Sequence, residues 1–447
     1  MSVRSLPPGP KARPFFGLLP EFRRDPLGLL ERAAQYGDIA RLQLGPVNFF
    51  MLNHPDLIEE VLVTQNRLFV KGRGLENSRR LLGNGLLTSE GEFWRRQRRL
   101  AQPAFHKARI NGYAETMVDF ARRYLASWQD RESYDIHRDM MRLTLFIAAR
   151  TLFSADVTHD ADVVGEAMEV SLNVFRQRLG RIIPIPESWP TPANRRADRA
   201  ARLLDDIIYR IIDQRRESGG EDAGDLLSML MQAEDEDGTR MTPKQLRDEA
   251  MTLFLAGHET TANAMSWTWY LLGLNPDAEA RLHAELDRVL GGRAPTPEDL
   301  PNLPYVDAVI QESMRLYPPA WVVGRRSTEP FALGGYQFPA GAEVAMSQWV
   351  MHRHPAYFPD PLAFRPERWL NGLARRLPRF AYFPFGGGPR VCIGSGFALM
   401  EAQLLLATIA RAFRFRIDPG HPVVPHASIT LRPASGIRVT AEARRAR

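Results

Sequence analysis

The sequence predicts a mainly α protein with a minor β component. Three observations carry that expectation. From about residue 92 to 290, apolar residues recur every three or four positions, the helical period. The segment from Met251 to Leu274 is apolar over the length of a long buried helix. Strand-like alternation is confined to residues 38–53 and to short stretches within 325–347. The 447 residues are 44% apolar and 25% charged, which is the globular range. With only 33 Gly and 34 Pro, disordered and fibrous classes are excluded. Repeats and interdomain linkers are not visible, so a single domain over 1–447 is expected, with a Pro-rich segment at 1–20.

In chain order, Ile39–Leu44 and Asn48–Leu52 read as two strands joined at Gly45-Pro46. Helices are expected over Phe105–Asp130, Met140–Phe153, Arg195–Arg216 and Leu246–Leu274. Leu226–Ala233 precedes an acidic turn, Glu234–Gly238, after which Thr242 and Pro243 suit the N-cap and N1 positions of a new helix. A helix from Pro304 to Leu316 stops at Pro318-Pro319. Short strands and turns fill 325–347, Gly/Pro-rich coil fills 354–390, and a last helix covers 395–412.

Composition narrows the function. One cysteine, Cys392, excludes intrachain disulfides, Cys-rich zinc sites and iron–sulfur clusters within the chain. The net charge is +6, with four Lys and 54 Arg, a weak pointer to acidic partners. The start of the chain lacks the apolar run of a signal peptide, and His258, Glu259 and Asn263 make the long apolar segment costly in lipid. A cytoplasmic protein without a membrane anchor is expected. Gly83-Asn-Gly85 lacks the third glycine of a dinucleotide loop, and Asp235-Glu-Asp237-Gly238 has too few ligands for a calcium loop.

The chemistry lies in Phe385-Gly-Gly-Gly388-Pro-Arg390-Val-Cys392-Ile-Gly394. The sole Cys sits in a glycine-rich loop just before a helix. Backbone N–H groups there would lower the thiol pKa and hold a thiolate ready to ligate a metal, while glycines allow close approach of a flat cofactor. With its spacing Phe-x-x-Gly-x-Arg-x-Cys-x-Gly, the segment resembles the haem-binding signature of the cytochrome P-450 family. Three further motifs occur in that family's order: Ala256-Gly257-His258-Glu259-Thr260-Thr261, Glu312-Ser-Met-Arg315, and Phe364-Arg365-Pro366-Glu367-Arg368-Trp369. The resemblance covers essentially the whole chain.

The resemblance implies the cytochrome P-450 fold, an α-rich haem domain with small β-sheets. It implies haem b with Cys392 as axial iron ligand, and a monooxygenase that activates O2 with two electrons. Those electrons come from NAD(P)H through a ferredoxin or flavodoxin and its reductase. Glu259 and Thr260 are expected to relay protons, with the Thr260 hydroxyl bonding back one turn and kinking the helix. Phe385, Trp94, Arg98, Arg325 and Arg390 are expected around the cofactor, the arginines against its propionates. Glu312, Arg315 and Arg368 form the family's structural triad. Arg95, Arg96 and Arg99 suit an acidic redox partner.

Ala256, Val322, Val323, Leu86, Leu87, Val174, Phe175, Ile182, Ile183, Trp321 and the turn near Ile429 are expected to line a pocket for a lipophilic small molecule. Leu-Tyr-Pro-Pro-Ala-Trp at 316–321 resembles bacterial members that hydroxylate carotenoids or fatty acids; terpenoids are a further class. Nucleic acid is not expected as a partner. The alternatives are a haem-thiolate isomerase, dehydratase or peroxide-dependent oxygenase, in which the Glu259–Thr260 relay would be idle, and a haem sensor, for which no partner module is visible.

Overall fold

Thr242 begins the longest helix of the chain. Its hydroxyl accepts from the Gln245 amide at 3.2 Å, and its own N–H donates to Gln245 Oε1 at 2.7 Å. This capping box, with Pro243 in the first turn, satisfies N–H groups that would otherwise be orphaned. The central helix therefore runs Pro243–Leu274, one turn longer at its start than periodicity alone suggests. The computed structural model describes residues 6–179, 186, 188–217, 223–234 and 238–444. Ile182, Ile183 and Asp235–Asp237 lie outside these residues.

The central helix is apolar on nearly all sides and is buried accordingly. It packs most extensively on helix Ile136–Phe153, and also on Pro192–Glu217, Pro304–Leu316 and Ser395–Ala412. Helix Lys107–Leu125 lies against Ser395–Ala412. These elements enclose the main core, in which Trp267, Phe254 and Phe153 are among the largest fully buried side chains.

A five-stranded sheet carries a second core that includes Phe50, Phe69, Phe331 and Phe338. In spatial order its strands are Ile39–Leu44, Val47–Leu52, Glu343–Met346, Val323–Ser327 and Phe69–Lys71. All neighbours are antiparallel except Val47–Leu52 with Glu343–Met346. The register sets Lys71 directly opposite Arg325. The chain is thus mainly α with small sheets, as expected, and Pro304–Leu316 and Ser395–Ala412 match the expected helices.

Two expectations need correction. Residues 354–390 are not coil throughout: short helices occur at Glu367–Leu370 and Leu373–Arg376, with a 3-10 turn at Gly388–Arg390. The last 35 residues carry strands that were not expected, Phe413–Ile417, Pro425–Ala427, Leu431–Pro433 and Arg438–Ala443. Pro425–Ala427 and Leu431–Pro433 are three residues each and contain Pro, whereas Phe413–Ile417 and Arg438–Ala443 do alternate and were missed.

Candidate active site

The cysteine loop is shaped by close contacts. The Cys392 N–H donates to Phe385 O at 3.0 Å, closing the loop on itself. Gly388 has a φ of 66°, and a Cβ there would lie 1.9 Å from Leu62 O, so no side chain fits. Phe385 is partly buried against the main core, and Gly394 caps helix Ser395–Ala412. The Cys392 side chain reaches open space although protein surrounds it closely.

That enclosure pushes its thiol up, while the Gly394 amide and the Arg98 guanidinium pull it down. The Gly394 amide thus acts in the direction expected of the loop, against desolvation of the anion.

Cations converge beside this loop. Arg98 sits one turn after Trp94 on helix Gly91–Ala101, and its Nη1 donates to Val391 O at 2.8 Å. Arg390 stacks on Trp94, its guanidinium carbon 3.7 Å from the ring centroid. It also donates to Ser89 O at 3.0 Å and pairs with Glu90. Burial lowers its pKa to about 10.

Arg325 is 9% exposed and donates to Gly324 O, with no carboxylate partner among the described residues. Lys71, which sequence reasoning missed, is 8% exposed and lowered to about 6, chiefly by burial and then by Arg390. Its Nζ donates to the carbonyls of Leu86 and Leu87. Its rarity, one of four lysines, and its place at a strand edge were the available signals. Lys71, Arg325, Arg390, Trp94 and Glu90 share a cavity of about 340 Å³.

Like charges directly opposite across two strands repel. Lys71 is acted on by Glu90 and Glu249 as well as by the arginines, whereas Arg325 has no carboxylate of its own among the described residues and leaves positive charge to spare. A single accessible thiol, a glycine loop without room for side chains and an excess of buried cations together fit a flat, dianionic haem. Clusters of three or more His, Cys, Asp or Glu suited to a metal ion are absent among the described residues.

Behind the loop, Glu312 and Arg315 are both fully buried. Arg315 donates to His352 O and Pro361 O at 2.9 and 2.7 Å. Arg368 Nε donates to Glu312 Oε1 at 3.0 Å, and Trp369 Nε1 to Oε2 at 2.8 Å. The three expected residues thus meet, and Trp369 and the Arg365 N–H complete the ring of donors to Glu312. These two donors lie within the segment that supplies Arg368, but only the fold reveals their bonds.

On the central helix, Thr260 Oγ1 donates to Ala256 O at 2.9 Å, the back-bond expected from the sequence. The helix continues through this turn without interruption. Glu259 is 6% exposed, and burial raises its pKa. Its Oε1 accepts a 2.6 Å bond from Thr430, a partner that sequence reasoning missed. His258 is buried, with Nδ1 3.2 Å from Phe254 O.

The pocket candidates sit on several elements. Ala256 is exposed on the central helix, Leu86 is buried and Leu87 is exposed. Val322 packs against a third core that includes Leu18, Leu29, Met51 and Trp321, and Val323 against the sheet core. Trp321 is buried, its Nε1 donating to Ser428 O at 2.9 Å. Arg95 pairs with Glu92, and Arg96 donates to Thr239 O at 2.9 Å. No described helix is long and apolar enough to cross a membrane.

The pattern of the Cytochrome P450 family matches residues 7–440. Cyclooctatin synthase of Streptomyces melanosporofaciens is 42% identical over 424 residues, covering 94% of this chain and 92% of that protein. Cyclooctat-9-en-7-ol 5-monooxygenase of the same organism is 41% identical over 416 residues, covering 92% and 90%. Pentalenene oxygenase of Streptomyces avermitilis is 36% identical over 442 residues, covering 97% of each.

Proposed function

The chain belongs to the cytochrome P450 family and is a P450 monooxygenase; from that premise we propose that it hydroxylates a lipophilic small molecule of the terpenoid class, with Cys392 as the haem ligand. The observation that carries the reading is Cys392 itself, the chain's one thiol, accessible in a loop that Gly388 must shape. The relatives that act on pentalenene and on cyclooctat-9-en-7-ol support the substrate class.

When bound, thiolate-ligated haem supplies the activation of O2 with two electrons. The rest belongs to the chain's own residues. Arg98, Arg325 and Arg390 would hold the propionate end and neutralise it, with Lys71 beside Arg325 and Arg390 as a further donor. Glu312, Arg315 and Arg368 fix the segment that leads into the cysteine loop. Thr260 Oγ1, held by Ala256 O, stands one residue from the buried carboxyl of Glu259. Glu259 stores a proton in a dry setting, and Thr260 directs it to the side where O2 reacts. Electrons come from NAD(P)H through an acidic ferredoxin or flavodoxin docked on the face that carries Arg95, Arg96 and Arg99. The cytoplasm is the compartment that suits such partners.

The test is turnover of a terpenoid library by the haem-loaded protein. Compounds are ranked first by the Soret shift that they induce. They are then assayed with a surrogate ferredoxin, reductase and NAD(P)H, and separately with peroxide alone. Hydroxylated product only in the first system supports the proposal. Product with peroxide alone, or isomerisation without electrons, overturns it.

A further inference from the structure

Glu259, Asn263 and Trp267 are spaced by four on the central helix and therefore share one face. All three bond to one hairpin turn, between strands Pro425–Ala427 and Leu431–Pro433. Thr430 Oγ1 donates to Glu259 Oε1 at 2.6 Å, Asn263 Nδ2 donates to Thr430 Oγ1 at 3.2 Å, and Trp267 Nε1 donates to Leu431 O at 3.0 Å. The turn is held from its other side by the Trp321 bond to Ser428 O and by the Leu431 N–H, which donates to Pro319 O at 2.9 Å. Thr430 is 6% exposed and Asn263 is fully buried.

A hydroxyl has one proton to give. Because the Asn263 amide donates to Thr430 Oγ1, the Thr430 proton is directed at Glu259. We propose that Thr430 is a positioning residue for the Glu259 carboxyl: it occupies Oε1 and leaves Oε2 as the oxygen that takes up and releases the proton. The inference rests on the reading of Glu259 as a proton donor and adds to it the group that sets its orientation and its acidity. Arg432, on the same hairpin, is the charged group that acts on Glu259; it and the Thr430 bond lower the carboxyl pKa against the upward push of burial.

The test pairs an infrared measurement with kinetics on the haem-loaded protein. The Glu259 acid band is assigned as the carboxyl band lost in Glu259→Gln. In Thr430→Val that band should move to the position of a free acid, and its titration midpoint should rise by about one pH unit, a tenfold change in proton affinity. The pH profile of product formed per NAD(P)H should move in the same direction, and Thr430→Ser should restore both.

Asn263→Ala, which removes the directing donor, should give a smaller shift of the same sign and serves if Thr430→Val does not fold. An unmoved band and pH profile in a folded Thr430→Val protein overturn the assignment, as does a melting-temperature change without either shift. Normal coupling in Glu259→Gln would instead overturn the proton role of Glu259, while the band would still report whether Thr430 holds its carboxyl.

Discussion

Arg315 grips both carboxylate oxygens of Glu312, Nε to Oε2 and Nη2 to Oε1, each at 2.9 Å and out of reach of solvent. A bidentate pair at i, i+3 on one helix is geometrically ordinary. Its complete burial is not, because each charge depends on the other and on the carbonyls and N–H groups around them.

Removing one partner leaves the other buried and uncompensated. Glu312→Ala and Arg315→Ala should each destabilise the protein by about 3–5 kcal/mol. That is a large part of a typical total stability of about 5–15 kcal/mol. Arg315→Lys should fail as well, since an ammonium cannot serve both carboxylate oxygens and the three carbonyls bonded to Arg315. Haem content and melting temperature of the purified variants are the measurements. Normal values in both alanine variants would remove the triad's structural role.

Cys392→His should abolish the ferrous–CO absorption that gives the family its name while leaving the fold intact, since the Cys392 backbone N–H still bonds to Phe385 O. Retention of that band in the variant would show that another group ligates the iron.

Thr260→Ala should keep haem and substrate binding but divert reducing equivalents to H2O2. A hydrogen-bond donor acting where charge develops is worth about 10²–10³ in rate, so the loss should be plain. Product, H2O2 and NAD(P)H consumed are measured together for both proteins. If Thr260 only packs the helix, coupling stays at the wild-type level and any defect appears in stability.

Lys71→Met keeps the length of the side chain and removes its amine. Haem should then pass to apomyoglobin about two- to tenfold faster, as expected for loss of one hydrogen-bond donor. An unchanged transfer rate would place Lys71 outside the propionate cradle.

Glu401 is fully buried, and burial raises its carboxyl from 4.5 to about 8. The nearby Thr261 hydroxyl lowers it a little without completing a well-formed bond. The unfolded chain releases this proton near pH 4.5, whereas the folded protein keeps it to about 8. Between those values the folded state binds the additional proton, so this contribution to stability is full below about 4.5 and is lost as pH rises towards 8. Glu401→Gln stays neutral throughout. The wild type should lose stability relative to this variant over that window, by on the order of a few kcal/mol at pH 8, followed by the melting temperatures of both proteins. Parallel pH curves for the two proteins would show that Glu401 ionises normally.

The parts of the molecule legible in the sequence are those with local causes. The central helix announces itself through its apolar run and its Thr242-Pro243 start, and the cysteine loop through the spacing of Phe385, Arg390 and Cys392. What escaped depends on pairings between distant segments. Lys71 gains meaning only once the sheet sets it opposite Arg325, which is 254 positions away in the numbering. Thr430 is an unremarked residue in a short hairpin until Glu259 is found bonded to it. Neither pairing leaves a periodic trace, and the three-residue strands Pro425–Ala427 and Leu431–Pro433 are too short to leave one. For Cys392, the loop N–H groups that favour the thiolate can be read from sequence, but the burial that opposes them is a property of the fold.

The hairpin turn engages the central helix at three successive turns, through Glu259, Asn263 and Trp267. One residue inserted just before Glu259 would rotate everything after it by about 100° and swing carboxyl, amide and indole off the hairpin together. Chain length is therefore frozen along 259–267 and across the turn at 428–431, whichever residues fill the neighbouring positions. The stretch from Gly420 to Val424 lies outside any strand and, among the described residues, touches no central-helix side chain through such bonds, its ties beyond neighbouring residues being Val424 O to the Ala434 N–H and His421 to Gly436 O. Insertions and deletions that distinguish relatives in this C-terminal region should collect there, and substrate preference should diverge by substitution around the hairpin tip, not by changes in its length.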